Sequence, residues 1–257
     1  MNLMGLDLAW HSEKNPSAAA VGRLDKGILS LEDLEPALFG LGDILAFISN
    51  QPLLTGIAID APLIIENQTG QRECEKQLSR DYGSRKASCH TSNTTLYPAA
   101  ASVDLSLALK DKGFGHLALA QWQIECYPHP AMIECFELPE RLLYKKGEVA
   151  TRKAGQIALA SLITQLASSP VLVLEVPESF SHTLSEDYIA SLSGQALKSN
   201  EDALDAIFCL YIAGLYQIKA PGITYGCDQQ GYIWVPQVQC ISWSPPSQEK
   251  YAQPYGN

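Results

Sequence analysis

Residues 4–10 read Met4-Gly5-Leu6-Asp7-Leu8-Ala9-Trp10. The run is short and apolar, and residues 2–10 as a whole read as a β-strand. Asp7 interrupts it. A carboxylate in an apolar setting is costly to bury unless something compensates. Two other segments carry the same anomaly. Gly56-Ile57-Ala58-Ile59-Asp60 ends in an acid just before Ala61-Pro62, and Asp202-Ala203-Leu204-Asp205 opens a helix that is otherwise strongly apolar.

Working outward from Asp7, residues 17–23 and 27–31 read as two further strands, joined by a turn at Leu24-Asp25-Lys26. Residues 41–50 place Leu41, Ile44, Leu45 and Ile48 at helical spacing. Residues 55–60 form a buried strand ending at Asp60. The opening is thus β-β-β-α-β. A right-handed crossover sets the fourth strand parallel to the first and beside it. From about 63 to 119 the pattern loosens, so this stretch reads as a long insertion with short helices, a lid or substrate-contacting segment. A strand at 121–127, one or two helical turns at 131–137, a helix at 151–167, a strand or helical turn at 171–175, a helix at 201–218 with Asn200 as its N-cap, and a strand at 231–236 complete the reading. Residues 1–240 make one domain, and 241–257 make a polar, proline-containing tail that frays.

Asp202 and Asp205 are three apart and share a helical face. If strands one and four are neighbours, Asp7 and Asp60 meet on the sheet. Two to four converging carboxylates repel one another unless protons or cations neutralise them. Hard divalent ions such as Mg²⁺ or Mn²⁺ suit that donor set. Two such ions can activate water against a phosphodiester. Plainer readings stand beside this one. Asp60 before Ala61-Pro62 suits an Asx turn, and Asp202 near a helix start suits the helix dipole. Glu125, in the strand at 121–127, is a further ligand or base, or else a solvent-facing acid. Arg72, Arg85 and Lys145 are candidate phosphate contacts, or else surface charge.

The order Gly5-Leu6-Asp7-Leu8-Ala9, Ile57-Ala58-Ile59-Asp60-Ala61-Pro62 and Asp202-Ala203-Leu204-Asp205-Ala206 resembles the ribonuclease H-like superfamily. In its nearest form it resembles domain-of-unknown-function family 429, described as a predicted nuclease. Arg72-Glu73-Cys74-Glu75, Glu125-Cys126-Tyr127-Pro128, Tyr144-Lys145-Lys146 and Gly231-Tyr232-Ile233-Trp234-Val235-Pro236 extend the likeness over about residues 3–236. The Asp-x-x-Asp helix is similar to that of RuvC-type resolvases. The resemblance implies an α/β, ribonuclease H-like fold: a mixed five-stranded sheet flanked by helices, with the long insertion after the fourth strand. It implies a metal-dependent nuclease acting through Asp7, Asp60, Asp202 and Asp205, with Glu125 orienting a water, Mg²⁺ or Mn²⁺ as cofactor, and DNA or RNA as partner. Fold alone does not fix a substrate.

Composition bounds the rest. The formal charge is −10 over 257 residues, which is awkward for a nucleic-acid enzyme. Yet 10 of the 18 basic residues fall in 72–86 and 141–153, as two local positive runs or two solvated faces. Seven cysteines at irregular spacing, no basic n-region before the first apolar run, and no apolar stretch of spanning length point to the cytoplasm, with no membrane partner. Cys74, Cys89, His90, Cys126, His129 and Cys135 do not match common zinc spacings, and Cys89-His90 is a weak nucleophile pair. Two other functions share this sheet. An actin-like nucleotide-binding protein needs a glycine-rich turn after strand one, where Leu8-Ala9-Trp10-His11 stands instead. A non-catalytic interaction protein suits the acidic charge. The oligomeric state is left open.

Overall fold

Successive residues of β1 (Asn2–Asp7) point to opposite faces, and the two sets meet different cores. Met4, Leu6 and Leu8 join one apolar cluster, and Leu3 joins the other. The computed structural model describes residues 1–9 and 15–241. Trp10, the end of the expected first strand, His11 after it, and the polar tail from residue 242 lie outside the described residues.

β2 (Pro16–Asp25) and β3 (Ile28–Phe39) follow as a hairpin. Its turn is Lys26-Gly27, both with positive φ, as a two-residue turn between twisted strands requires. α1 (Gly40–Ser49) then crosses to β4 (Leu54–Asp60), which pairs parallel with β1 as expected. The expected insertion holds α2 (Glu73–Tyr82), α3 (Ala101–Asp111) and β5 (Gly115–His116). It is not a detached lid: Cys74 and Leu78 of α2, and Leu105 and Leu109 of α3, are wholly buried in the two cores. β6 (Trp122–Glu125), α4 (Pro128–Cys135), α5 (Val149–Gln165), β7 (Val173–Glu175), α6 (Glu178–Ser181), α7 (Glu186–Ser191) and α8 (Gly194–Gln217) follow. A hairpin of β8 (Gly222–Cys227) and β9 (Gly231–Pro236) closes the described chain.

The main sheet has seven strands, not five, in the order β5-β6-β4-β1-β2-β3-β7. Only β2 runs against the others. β7 falls within the stretch read as a strand or helical turn at 171–175, and the unexpected β5 spans two residues, too short to show a period-2 pattern. β8 is half exposed and forms its own two-stranded sheet with β9. Helices cover both faces: α1 and α3 on one, α5 and α8 on the other. No helix among the described residues is long and apolar enough to cross a membrane. All seven cysteines are free thiols.

α8 starts seven residues before the expected helix. Asn200 is therefore not an N-cap. It lies inside the helix, is buried, and donates its side-chain amide to Gln156 Oε1 at 3.2 Å. The polar segment Gly194 to Asn200 hides the true start, because its apolar face is carried mainly by Leu197.

Candidate functional site

β1 and β4 run parallel in a register that sets Asp7 directly beside Asp60 at the carboxyl ends of both strands. Strand parity puts both on the α8 face. On β1, Gly5 lies on that face; on β4, Ala58 does. These small residues admit the helix. A Cβ on Gly5 would lie 2.0 Å from the Leu210 amide nitrogen and 2.3 Å from the Ala206 carbonyl oxygen. The α8 backbone therefore rests on β1 itself, and the turn before this contact carries Asp202 and Asp205 towards Asp7. Both are buried. They sit in the third and fourth turns of α8, beyond the reach of the N-terminal dipole. The helix-dipole reading of Asp202 does not apply.

Asp60, Asp202 and Asp205 each have a defined partner. Tyr144 donates its hydroxyl to Asp205 Oδ1 at 2.6 Å, and Lys145 Nζ stands 2.8 Å from Asp205 Oδ2 and 3.8 Å from Asp60 Oδ2. Lys198 donates to Asp202 Oδ1 at 2.6 Å and to Glu201 Oε1 at 2.8 Å. Asp205 Oδ2 is wholly buried and accepts no hydrogen bond, so Lys145 compensates its charge without satisfying it as an acceptor. Burial, then the neighbouring acids, lift Asp7 well above the ordinary carboxylate range, against the pull of Lys145. The same forces push Asp60 up to about 7 and raise Asp202, which Lys198 partly holds down. For Lys145 burial works against the charge, but Asp205, Tyr144, Asp7 and Asp60 outweigh it and hold the ammonium well above the ordinary lysine range. Retained protons and the two ammonium groups of Lys145 and Lys198 thus share the task of neutralising the cluster.

The donor set matches a hard divalent cation: four carboxylates, one with an unused buried oxygen. With the side chains as they stand, Lys145 fills the cation's role, and no three acidic, histidine or cysteine side chains among the described residues converge as a ready metal cage. An ion at this site requires Lys145 to give way. The residues fit the group in kind, and one side-chain movement separates the two states.

Of the other expected site residues, Glu125 and Arg72 line the same cleft as Asp7 and Asp60 but bind each other, and Arg85 lies elsewhere. Glu125 pairs in register with Ile59, so it points to the sheet face opposite Asp7 and Asp60. It accepts two bonds from Arg72, at 2.6 Å and 2.8 Å, and one from the Leu63 amide at 2.9 Å. Arg72 also reaches Glu75 Oε1 at 2.8 Å. Burial still raises Glu125 despite Arg72. This fully buried triad ties α2 to β6. Glu125 and Arg72 thus stand in the cleft wall already paired with each other. Arg85 pairs with Glu134 at 2.9 Å and caps the Leu138 carbonyl, in a separate depression beside α4. Lys145 does reach the cluster, as a counter-ion that also lines both clefts beside it. Tyr144, Lys198 and His129 belong to the site too. For Lys198 the signal was its position four residues before Asp202, on the same helical face.

A cleft of about 260 Å³ opens beside the cluster, lined by Asp7, Asp60, Tyr127, His129, Arg141, Lys145 and Lys146 among others. A second, of about 500 Å³, is lined by Asp7, Phe39, Lys145, Gln195, Lys198 and Asp202 among others. Both clefts bring acids and cations together at the carboxyl edge of a mostly parallel sheet, where such sheets bind ligands. Residues 5–224 match the family model described as "Protein of unknown function (DUF429)", and the chain belongs to that family. No curated protein and no solved structure matches it.

Proposed function

We propose that the protein is a divalent-metal-dependent nuclease on a ribonuclease H-like sheet, hydrolysing phosphodiester bonds. The observation that supports this best is the meeting of Asp7, Asp60, Asp202 and Asp205 on one sheet face under a rim of Arg141, Lys145, Lys146 and Lys198. Asp7, Asp60, Asp202 and Asp205 would hold Mg²⁺ or Mn²⁺. The ion supplies Lewis acidity and a water acidified towards neutrality. The chain's own residues do the rest. β1 and β4 fix two acids as neighbours without any loop, so their spacing is set by strand pairing. Tyr144 holds one oxygen of Asp205 and leaves the other for a cation. Lys146 and Arg141 draw a phosphate into the first cleft. Lys145, released from Asp205, stands close enough to neutralise a phosphate oxygen.

One feature favours a second reading. Lys145 already occupies the cation's role, as it would in a non-catalytic interaction protein that kept the fold. One experiment separates the two: titration with Mn²⁺, then incubation with DNA, RNA and hybrid substrates in Mg²⁺ or Mn²⁺. The nuclease binds Mn²⁺ and cleaves one of these substrates, and Asp7→Asn abolishes cleavage. Equal cleavage by Asp7→Asn refutes the site, and failure to bind Mn²⁺ supports the interaction protein.

A further inference from the structure

The two clefts lie on opposite sides of Asp7 along the sheet edge. In the strand order β6-β4-β1-β2-β3, the first cleft takes its lining from the ends of β4 and β6, and the second from Pro16 at the start of β2 and Phe39 at the end of β3. Asp7 and Lys145 line both, so the clefts meet over the carboxylate cluster. A site for a terminal phosphate or a free nucleotide needs one such cleft closed at the acids. This one continues past them.

The first cleft also shows unmet demand for a ligand. His129 is 93% buried, its ring lies edge-on to Tyr127 and Tyr144, and its Nδ1 has no hydrogen-bond partner. Arg141 Nε, lining the same cleft, is likewise buried and unpartnered. Buried polar atoms are normally satisfied, and a native exception calls for an explanation. Burial, with the nearby lysines and Arg141, holds His129 neutral. The cleft wall therefore holds a neutral ring nitrogen and a guanidinium N–H without partners, one suited to a base or sugar and one to a phosphate, and the half-buried Tyr127 ring gives a surface on which a base can lie. Across Asp7, Gln195 offers an amide, and the half-exposed Lys198 ammonium, paired with Asp202 and Glu201, adds positive charge. Each cleft has room for roughly one or two nucleotide units.

Resting on the nuclease reading, we infer that the substrate is a polynucleotide that runs along the carboxyl edge and continues on both sides of the reacting phosphodiester, so that cleavage is endonucleolytic. The reaction is a hydrolysis and needs no co-reactant but water. A bond forms from the water oxygen to phosphorus, and the phosphorus–oxygen bond to one sugar breaks. One fragment keeps a phosphate monoester. The other leaves as a hydroxyl, taking one of the water protons.

Substrates without ends test this. Single-stranded DNA circles, single-stranded RNA circles and relaxed duplex plasmid are incubated with the full chain and Mn²⁺, beside end-labelled linear counterparts. The expected result is that at least one circle is opened, and not by Asp60→Asn. Shortening of linear substrates while every circle survives overturns the inference and leaves the nuclease reading standing. If neither circles nor linear chains are cut, both fall. Binding gives the second readout. A fluorescein-labelled single strand is titrated by anisotropy over a range of NaCl, in the Asp60→Asn background. Arg141→Gln and Lys198→Gln are each expected to weaken binding about tenfold and to lower the salt slope by about one at a temperature where both are folded, Lys198→Gln melting earlier because it removes the cation beside Asp202 and Glu201. Loss confined to Arg141→Gln, with Lys198→Gln like the parent, overturns the two-sided path.

Discussion

Replacing Gly5 with alanine perturbs the site without touching any acid. Gly5 has ordinary extended strand backbone, so alanine meets no conformational penalty. The cost is steric. The added carbon would sit 2.0 Å from Leu210 N, 2.3 Å from Ala206 O and 2.5 Å from Cys209 C, where ordinary contact begins near 3.4 Å. All three are backbone atoms of one helix, so no side chain can swing aside. α8 must retreat by more than about 1 Å, and a close-packed interior resists this. Overpacking of this kind costs about 3 kcal/mol, or about 6–12 °C in melting temperature for a domain of this size. The retreat also carries Asp202 and Asp205 away from Asp7 and Asp60. A misplacement of about 1 Å costs on the order of a hundredfold in catalysis, and Mn²⁺ affinity falls with it. Differential scanning calorimetry and Mn²⁺ titration read the two effects on one sample. A Gly5→Ala protein with parental melting temperature and parental Mn²⁺ affinity would refute the account of how α8 is seated.

Three further outcomes are expected. Asp60 is pushed up to about 7 from its ordinary 3.8, so the folded state holds the extra proton between those values; metal-free stability therefore falls as pH rises through that window, while the melting-temperature gain given by Mn²⁺ grows from about pH 5.5 to about pH 8. A pH-independent gain sinks this linkage. Glu125→Gln breaks the buried pair with Arg72 and lowers stability by about 3 kcal/mol in urea unfolding, yet leaves Mn²⁺ affinity unchanged; a tenfold loss would return Glu125 to the ligand set. Lys145→Met removes the resident cation, so the metal-free protein melts earlier and its Mn²⁺-induced stabilisation exceeds that of the parent. An equal stabilisation would show that Lys145 and the metal do not compete.

The acids were legible because they break a pattern. Asp7 in an apolar strand, Asp60 at a strand end, and Asp202 and Asp205 three apart on an apolar helix each stand out from local periodicity, and the β-β-β-α-β opening supplied their meeting place. β5 escaped notice because two residues carry no period. Asn200 was misread because a helix start shows only where its apolar face begins. The partners of Glu125, Arg72 and Arg85 were not legible, for a different reason. A charged residue in sequence gives no sign of whether its partner is solvent, a ligand or another side chain 50 residues away.

By itself, then, the amino-acid order determined the α/β class, the pairing of β1 with β4, and the four aspartates as one constellation, since these rest on local period and on the handedness of a crossover. The tertiary structure alone decided which sheet face each acid takes, that Lys145 stands among them as counter-ion, that Arg72 and Glu125 satisfy each other, and that a cleft opens on either side of Asp7. Those are facts of parity, register and close approach between segments as much as 200 residues apart, fixed only when α8 packs down on Gly5.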